Sequence, residues 1–265
     1  MTLTGVLAQK RPDISSLVNH LTAIDTSKGD YCNFNERHAH ERNVDKHNFV
    51  INWIVPDFGY GSGGHVTTLR FVRHFQSIGI HNRIYVSDRS AHASPEALRN
   101  FISDNLMPID GIELHTSSQH MESADIAIST FWKTAYESLA LANVKFKAYF
   151  IQDYEPYFYP MSSNWLFAED TYRFGFYGVC ASRWLHTIAH RFGMPACHFN
   201  LGYDPNVYYP DPLTSRDANR VLVYMRPSTE RRGTELLISA LTALKRNRPK
   251  TRIAIFGTED LGYSG

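Results

Sequence analysis

The sequence predicts an α/β chain: one parallel sheet covered by helices on both faces, then the opening strand–helix–strand of a second such unit. Three observations carry this. From Phe49 onward short apolar runs alternate with amphipathic helical patterns, which implies a parallel sheet buried on both sides. Two of the strand-to-helix junctions are unusual loops: Pro56-Asp-Phe-Gly59-Tyr-Gly61-Ser-Gly63-Gly64-His65, and Arg226-Pro-Ser-Thr-Glu-Arg-Arg232-Gly233. Between them, residues 200–212 are rich in Pro, Gly, Asp and Tyr without any period, the composition of a linker. Each half is therefore Rossmann-like, and the expected organisation is an N-terminal extension (1–48), a first domain with its linker (49–212), and the start of a second domain (213–265).

The elements follow in order. Asp13 can cap a short helix through about Ile24; residues 28–48 are polar and His-rich. His38, His40 and His47 lack the Cys or acid spacing of a metal site, and no metal is expected. Residues 50–55 form a buried strand, and 65–78 a helix with Leu69, Val72, Phe75 and Ile78 on one face. Gly79 follows where a helix-terminating glycine belongs. Strands are expected at 82–87, 124–129, 147–152 and 177–181, and helices at 96–105 and 132–141. Ser182 caps a further helix that ends before Gly193 and Pro195. The second unit offers a strand at 221–225, a helix at 234–247 and a strand at 252–256, too little to bury a core of its own. The chain is therefore expected to be a truncated piece of a longer protein.

Composition excludes several classes. The net charge of +1 gives no reason to expect nucleic acid. Charge is uneven, however: residues 216–252 hold ten Lys/Arg against three Asp/Glu. Most of that excess is a solvated helix face, but Arg226, Arg231 and Arg232 sit in a loop that an anion can reach. Cys32, Cys180 and Cys197 have no CxxC spacing and suit a reducing compartment. No apolar run is long enough to span a bilayer, and the start lacks a signal pattern. A cytoplasmic protein is expected, with peripheral membrane contact left open.

Three motifs carry candidate chemistry. A glycine-rich loop opening a helix leaves backbone N–H groups for an anion or a sugar hydroxyl, which marks Gly63 and Gly64. Gly59-x-Gly61-x-x-Gly64 also matches the dinucleotide fingerprint, with Asp88 as ribose-binding acid. That alternative, an NAD(P)-dependent oxidoreductase, is opposed by Pro56-Asp-Phe58 standing before the first glycine and by the long spacing to Asp88. The second motif pairs Arg226 and Arg232 at a helix start, where guanidinium groups can hold a diphosphate bidentately. In the third, residues 149–160, aromatic rings and two carboxylates follow a strand. Tyr154 can stack on a sugar, while Asp153 and Glu155 can accept hydroxyl hydrogen bonds; Asp153 is the candidate catalytic residue. Asp-x-Asp, a P-loop and a G-x-S-x-G elbow are all missing.

These segments together resemble the GT-B-fold glycosyltransferases of family 4. The match rests on Val55-Pro56…Gly63-Gly64-His65, Gln152-Asp153, Ala181-Ser182, residues 202–210, and Arg226…Arg232-Gly233…Phe256-Gly257. Residues 53–65 and 151–156 look most like the rhamnosyltransferases of bacterial surface polysaccharides. The resemblance implies a retaining, metal-independent transfer from a nucleotide-diphosphate sugar, such as dTDP-rhamnose, to a glycan or lipid-linked glycan. It implies diphosphate binding by Arg226 and Arg232, with Arg232 replacing the usual Lys, and by Gly63 and Gly64. It implies sugar or acceptor contacts from His65, Gln152, Tyr154 and Glu155. Gln152 stands where the family often has His, which accords with a 6-deoxy sugar. The family's Glu-rich donor motif would fall beyond Gly265, so little or no turnover is expected from this chain alone. A fragment that binds glycan without catalysis is the remaining alternative.

Overall fold

The computed structural model describes Asn35, residues 48–227 and residues 229–257. The expected helix after Asp13 and His38, His40 and His47 lie outside them. Two compact units are present, Met1–Leu201 and Gly202–Gly265.

The first unit is a seven-stranded, wholly parallel sheet. Its strands are β1 (Val50–Val55), β2 (His81–Val86), β3 (Glu113–His115), β4 (Ala124–Ser129), β5 (Val144–Ile151), β6 (Tyr177–Cys180) and β7 (Ala196–His198). The spatial order is β3-β2-β1-β4-β5-β6-β7, a Rossmann-like order. Helices α1 (Gly63–Ser77), α2 (Pro95–Asn105), α3 (Trp132–Ala140), α4 (Ser163–Asp170) and α5 (Arg183–Arg191) cover the two faces. Alternation along β5 divides the core: Tyr149 and Ile151 join Trp132, Tyr136, Tyr172 and Leu185 on one face. Ala148 and Phe150 join Trp53, Leu69, Val72, Leu98 and Ile102 on the other.

Local chemistry sets the boundaries. Ser94 Oγ accepts from Ala97 N at 3.1 Å and Ser182 Oγ from Leu185 N at 3.1 Å, so both serines satisfy orphan amides at a helix start. Gly79 (φ 87°) and Gly193 (φ 77°) then terminate α1 and α5 in the left-handed region. Two buried side-chain amides of the sheet reach partners. Asn52 donates to Glu122 O at 2.7 Å, and Asn82 accepts from the Trp53 indole at 3.0 Å. Asn35 also joins the fold: its side chain accepts from Lys147 N at 2.9 Å and donates to Lys147 O at 2.8 Å.

The second unit holds β8 (Arg220–Tyr224), α6 (Thr234–Asn247) and β9 (Arg252–Phe256), the two strands parallel and in register from Arg220↔Arg252. No helix among the described residues is long and apolar enough to cross a membrane.

Candidate functional site

In an open parallel sheet, ligands bind beyond the carboxyl ends of strands where the order reverses. Here β1 lies between β2 and β4, so the loops leaving β1, β4 and β5 define the candidate site. The β1 loop is knotted by Asp57. Its carboxylate accepts from Phe58 N (3.0 Å), Ser90 Oγ (2.7 Å) and Ala91 N (2.7 Å). Gly61 takes φ 64°, and Gly63 and Gly64 head α1 on an exposed turn. The first two fingerprint glycines thus stand in a loop well past the end of β1 rather than in a tight dinucleotide turn. Asp88 is in the left-handed region (φ 56°), its backbone tied to Ser117 and Ser118.

His65 is half-buried in the first turn of α1. Its ring stacks on Phe58 at 4.4 Å, and Nε2 donates to the Pro56 carbonyl at 3.0 Å. That bond fixes the tautomer and leaves Nδ1 as an acceptor, buried and without a partner among the described residues. Burial pushes the imidazole pKa down; the Pro56 carbonyl and the Asp57 charge oppose this and lose.

The structure brings Gln152 to the glycine turn. A methyl group built on Gly64 would lie 3.5 Å from Gln152 Nε2, and that amide approaches Thr68 Oγ1 at 3.4 Å. Asp153 is partly exposed, with Oδ1 accepting from Tyr154 N at 2.9 Å. Gly64, His65, Gln152 and Asp153 are therefore the candidates grouped at the strand ends.

Tyr154 and Glu155 are placed differently from expectation. Glu155 is 3% exposed, and its carboxylate accepts from Trp132 N at 2.6 Å and Tyr149 Oη at 2.9 Å. It caps α3 with a negative charge at the helix N-terminus. Burial and this carboxylate drive the Tyr149 hydroxyl pKa well up. Tyr154 is buried too, and its hydroxyl donates to Glu169 Oε1 at 3.1 Å; desolvation raises its pKa. Both are occupied by the fold, because the chain turns inward into the 3-10 turn Glu155–Phe158.

In the second unit Arg226 and Arg232 are exposed, and among the described residues no carboxylate pairs with either. The Arg232 guanidinium lies 5.7 Å over the Tyr224 ring, a stacking position. The 3-10 turn Glu230–Arg232 and left-handed Gly233 (φ 64°) deliver the chain into α6. A residue the motif reading missed follows at once: Thr234, 4% exposed, has a buried hydroxyl with no partner among the described residues. Its signal was its position directly after Arg232-Gly233. Gly257 is obligatory, since a Cβ there would come 2.5 Å from the Tyr224 ring and 2.8 Å from Met225 O.

Glu113, His115 and Glu122 offer ligand atoms within 4.8 Å of one another. Arg83 already contacts Glu113 at 3.2 Å and Glu122 at 3.1 Å, so these charges are matched internally.

Residues 46–179 match the family model described as WsaF, N-terminal domain. The chain is also 28% identical over 216 residues to the O-antigen biosynthesis protein RfbC of Myxococcus xanthus. That alignment covers 79% of this chain but spans only 17% of the relative. The Gly63–Asp153 cluster falls inside the family match; Arg226 and Arg232 fall outside it.

Proposed function

The chain belongs to the WsaF N-terminal domain family, and on that premise we propose that it is part of a glycosyltransferase of surface-polysaccharide synthesis. The first unit is the acceptor-side lobe of a GT-B enzyme, and the second belongs to the lobe that holds a nucleotide-diphosphate sugar. The similarity to a protein named for O-antigen biosynthesis supports the polymer class. Gln152, standing where the resembling family often has His, accords with a 6-deoxy donor sugar such as rhamnose carried on dTDP.

In this reading the acceptor hydroxyl attacks the anomeric carbon as the bond to the diphosphate oxygen breaks. The departing oxygen takes the acceptor proton on the same face, so configuration is retained. Arg226 and Arg232 neutralise the charge that develops on the leaving group, and the Thr234 hydroxyl adds a donor. Asp153 orients a sugar hydroxyl, and His65 accepts one through Nδ1. No metal is required, because the guanidinium pair takes over its role. The reaction belongs in the cytoplasm, in keeping with the free thiols of Cys180 and Cys197.

The observation that carries the proposal is a pair of exposed arginines, neither with an acidic partner among the described residues, at the head of a helix that follows a parallel strand. Calorimetric titration with dTDP-rhamnose tests it. Charge-assisted bonds to phosphate lost in Arg226→Ala should weaken binding about tenfold or more. No saturable binding by the wild-type chain, or an unchanged Kd in the variant, overturns it.

A further inference from the structure

Two aromatic side chains at the carboxyl ends of β5 and β6 are displayed rather than buried. Tyr157 is 59% and Trp184 53% exposed, yet each projects from an anchored element. Tyr157 belongs to the 3-10 turn held by buried Glu155, and the turn is closed beyond it by Tyr159 Oη accepting from the Trp132 indole at 2.9 Å. Trp184 sits in the first turn of α5, fixed by the Ser182 cap and by Leu185, which is buried. Both rings meet Tyr154 nearly at right angles, with centroids 4.8 Å and 6.5 Å away. Tyr154 is locked in turn by its bond to Glu169. Two exposed rings therefore rest on one buried ring, that of Tyr154, which adjoins Asp153 in the chain.

Single exposed apolar side chains are ordinary. Two rings fixed against a third need no ordering when a ligand arrives, and that preorganisation favours binding. The surroundings decide what the ligand is. Glu169 contacts Tyr154, Arg173 pairs with Glu169 at 3.1 Å and with Asp170 at 3.6 Å, and Asp153 and Arg183 stand next to Tyr154 and Trp184 in sequence. An anionic bilayer surface selects clustered basic residues, whereas here acids outnumber bases. A neutral pyranose suits both features: its C–H face lies on an aromatic ring, and its hydroxyls reach carboxylate oxygens at the edge.

We infer that Tyr157 and Trp184 form a shelf for a neutral pyranose of the acceptor glycan, beside Asp153; the acceptor assignment rests on the transferase reading above. The chain is titrated with methyl α-L-rhamnopyranoside and methyl β-D-glucopyranoside, followed by saturation-transfer NMR and tryptophan emission. Saturation should concentrate on ring C–H protons. Tyr157→Ala and Trp184→Ala should each weaken binding about tenfold, while Trp184→Phe keeps most of it. Far-UV circular dichroism and dTDP-rhamnose affinity should stay at wild-type values in all three. Glycoside binding that is absent from the wild type, or unchanged from wild type in both alanine variants, overturns the shelf even where the donor still binds. Binding to phosphatidylglycerol vesicles that Trp184→Ala abolishes, without glycoside binding, also overturns it and assigns the rings to a membrane. Glycoside binding lost in Trp184→Ala without any donor binding keeps the shelf and removes the transferase reading instead.

Discussion

Replacing Glu155 with alanine removes the acceptor that holds the Trp132 amide at 2.6 Å and the Tyr149 hydroxyl at 2.9 Å, in a site only 3% exposed. A buried amide stripped of a charged partner costs about 2–3 kcal/mol. The urea midpoint should fall accordingly with the m-value unchanged, and Glu155→Gln, which keeps an acceptor, should lose less. Wild-type stability in the alanine variant would contradict the capping role. His65 yields a pH signature. Its folded pKa lies below the unfolded value of 6.5, so the unfolded chain takes up a proton that the folded chain resists. Its contribution is whole above about pH 6.5 and declines as the pH falls through that value. The stability difference between wild type and His65→Gln should therefore change between pH 7 and 5, by at most about 1.4 kcal/mol per pH unit. Parallel pH curves would remove this account. The same two residues mark what sequence could tell about the site. The place of His65 in the first turn of α1 was legible because it follows two glycines between a strand and a helical pattern. The inward turn of Glu155 was not, because strand alternation stops at Ile151 and nothing in an irregular stretch says which carboxylate faces water.

At the scale of elements, legibility followed the strength of the physical signal. β1, β4, β9 and α6 run where expected because a continuous apolar run or a helical stripe defines each. β5 starts at Val144, three residues before its sequence reading, because Lys145 and Lys147 interrupt its apolar run. The structure absorbs both: Lys145 pairs with Asp125 at 2.6 Å, and Lys147, 1% exposed, donates through Nζ to Leu139 O at 2.9 Å. β3 and β7 were missed because three residues are too few to show a period. α4 was missed because it presents no clean apolar face: Ala168 is buried while Leu166 is 58% exposed. The Asn35 contact has no sequence signal, yet its cause is visible in the sheet. β6 pairs with β5 from Ala148 onward, and Lys147 lies one residue before that register begins. The Asn35 amide takes both bonds, as a strand would. Asn35→Ala should cost about 1–3 kcal/mol in chemical denaturation, and the Lys147 amide should exchange faster with solvent. Asn35→Asp, which keeps the acceptor and loses the donor, should fall between. Unchanged stability in Asn35→Ala would show that these two bonds contribute nothing to the sheet.

The two units differ most in how much each can bury. In the first, both faces of a seven-stranded sheet are covered, and Ile54, Val55, Tyr85 and Ile151 are wholly inaccessible. In the second, Val223 and Met225 are buried, but Leu222 (70%), Leu236 (78%) and Phe256 (49%) stand in solvent. A two-stranded sheet with one helix is marginal alone, so opening free energies should separate along the chain. Hydrogen exchange followed by mass spectrometry should find the amides of β1, β4 and β5 protected to the level of global unfolding. Those of β8 and β9 should exchange at least about a hundredfold faster, a gap of roughly 3 kcal/mol. Donor binding adds to this, because a ligand that binds only the folded form stabilises the unit that holds it. At saturating dTDP-rhamnose, exchange should slow in residues 220–257 and stay unchanged in β1, β4 and β5, and Arg226→Ala should cut that slowing about tenfold or more. Equal protection in both units would show that the second is stabilised by more than its visible core. Slowing confined to the sheet of the first unit would move the diphosphate site away from Arg226 and Arg232.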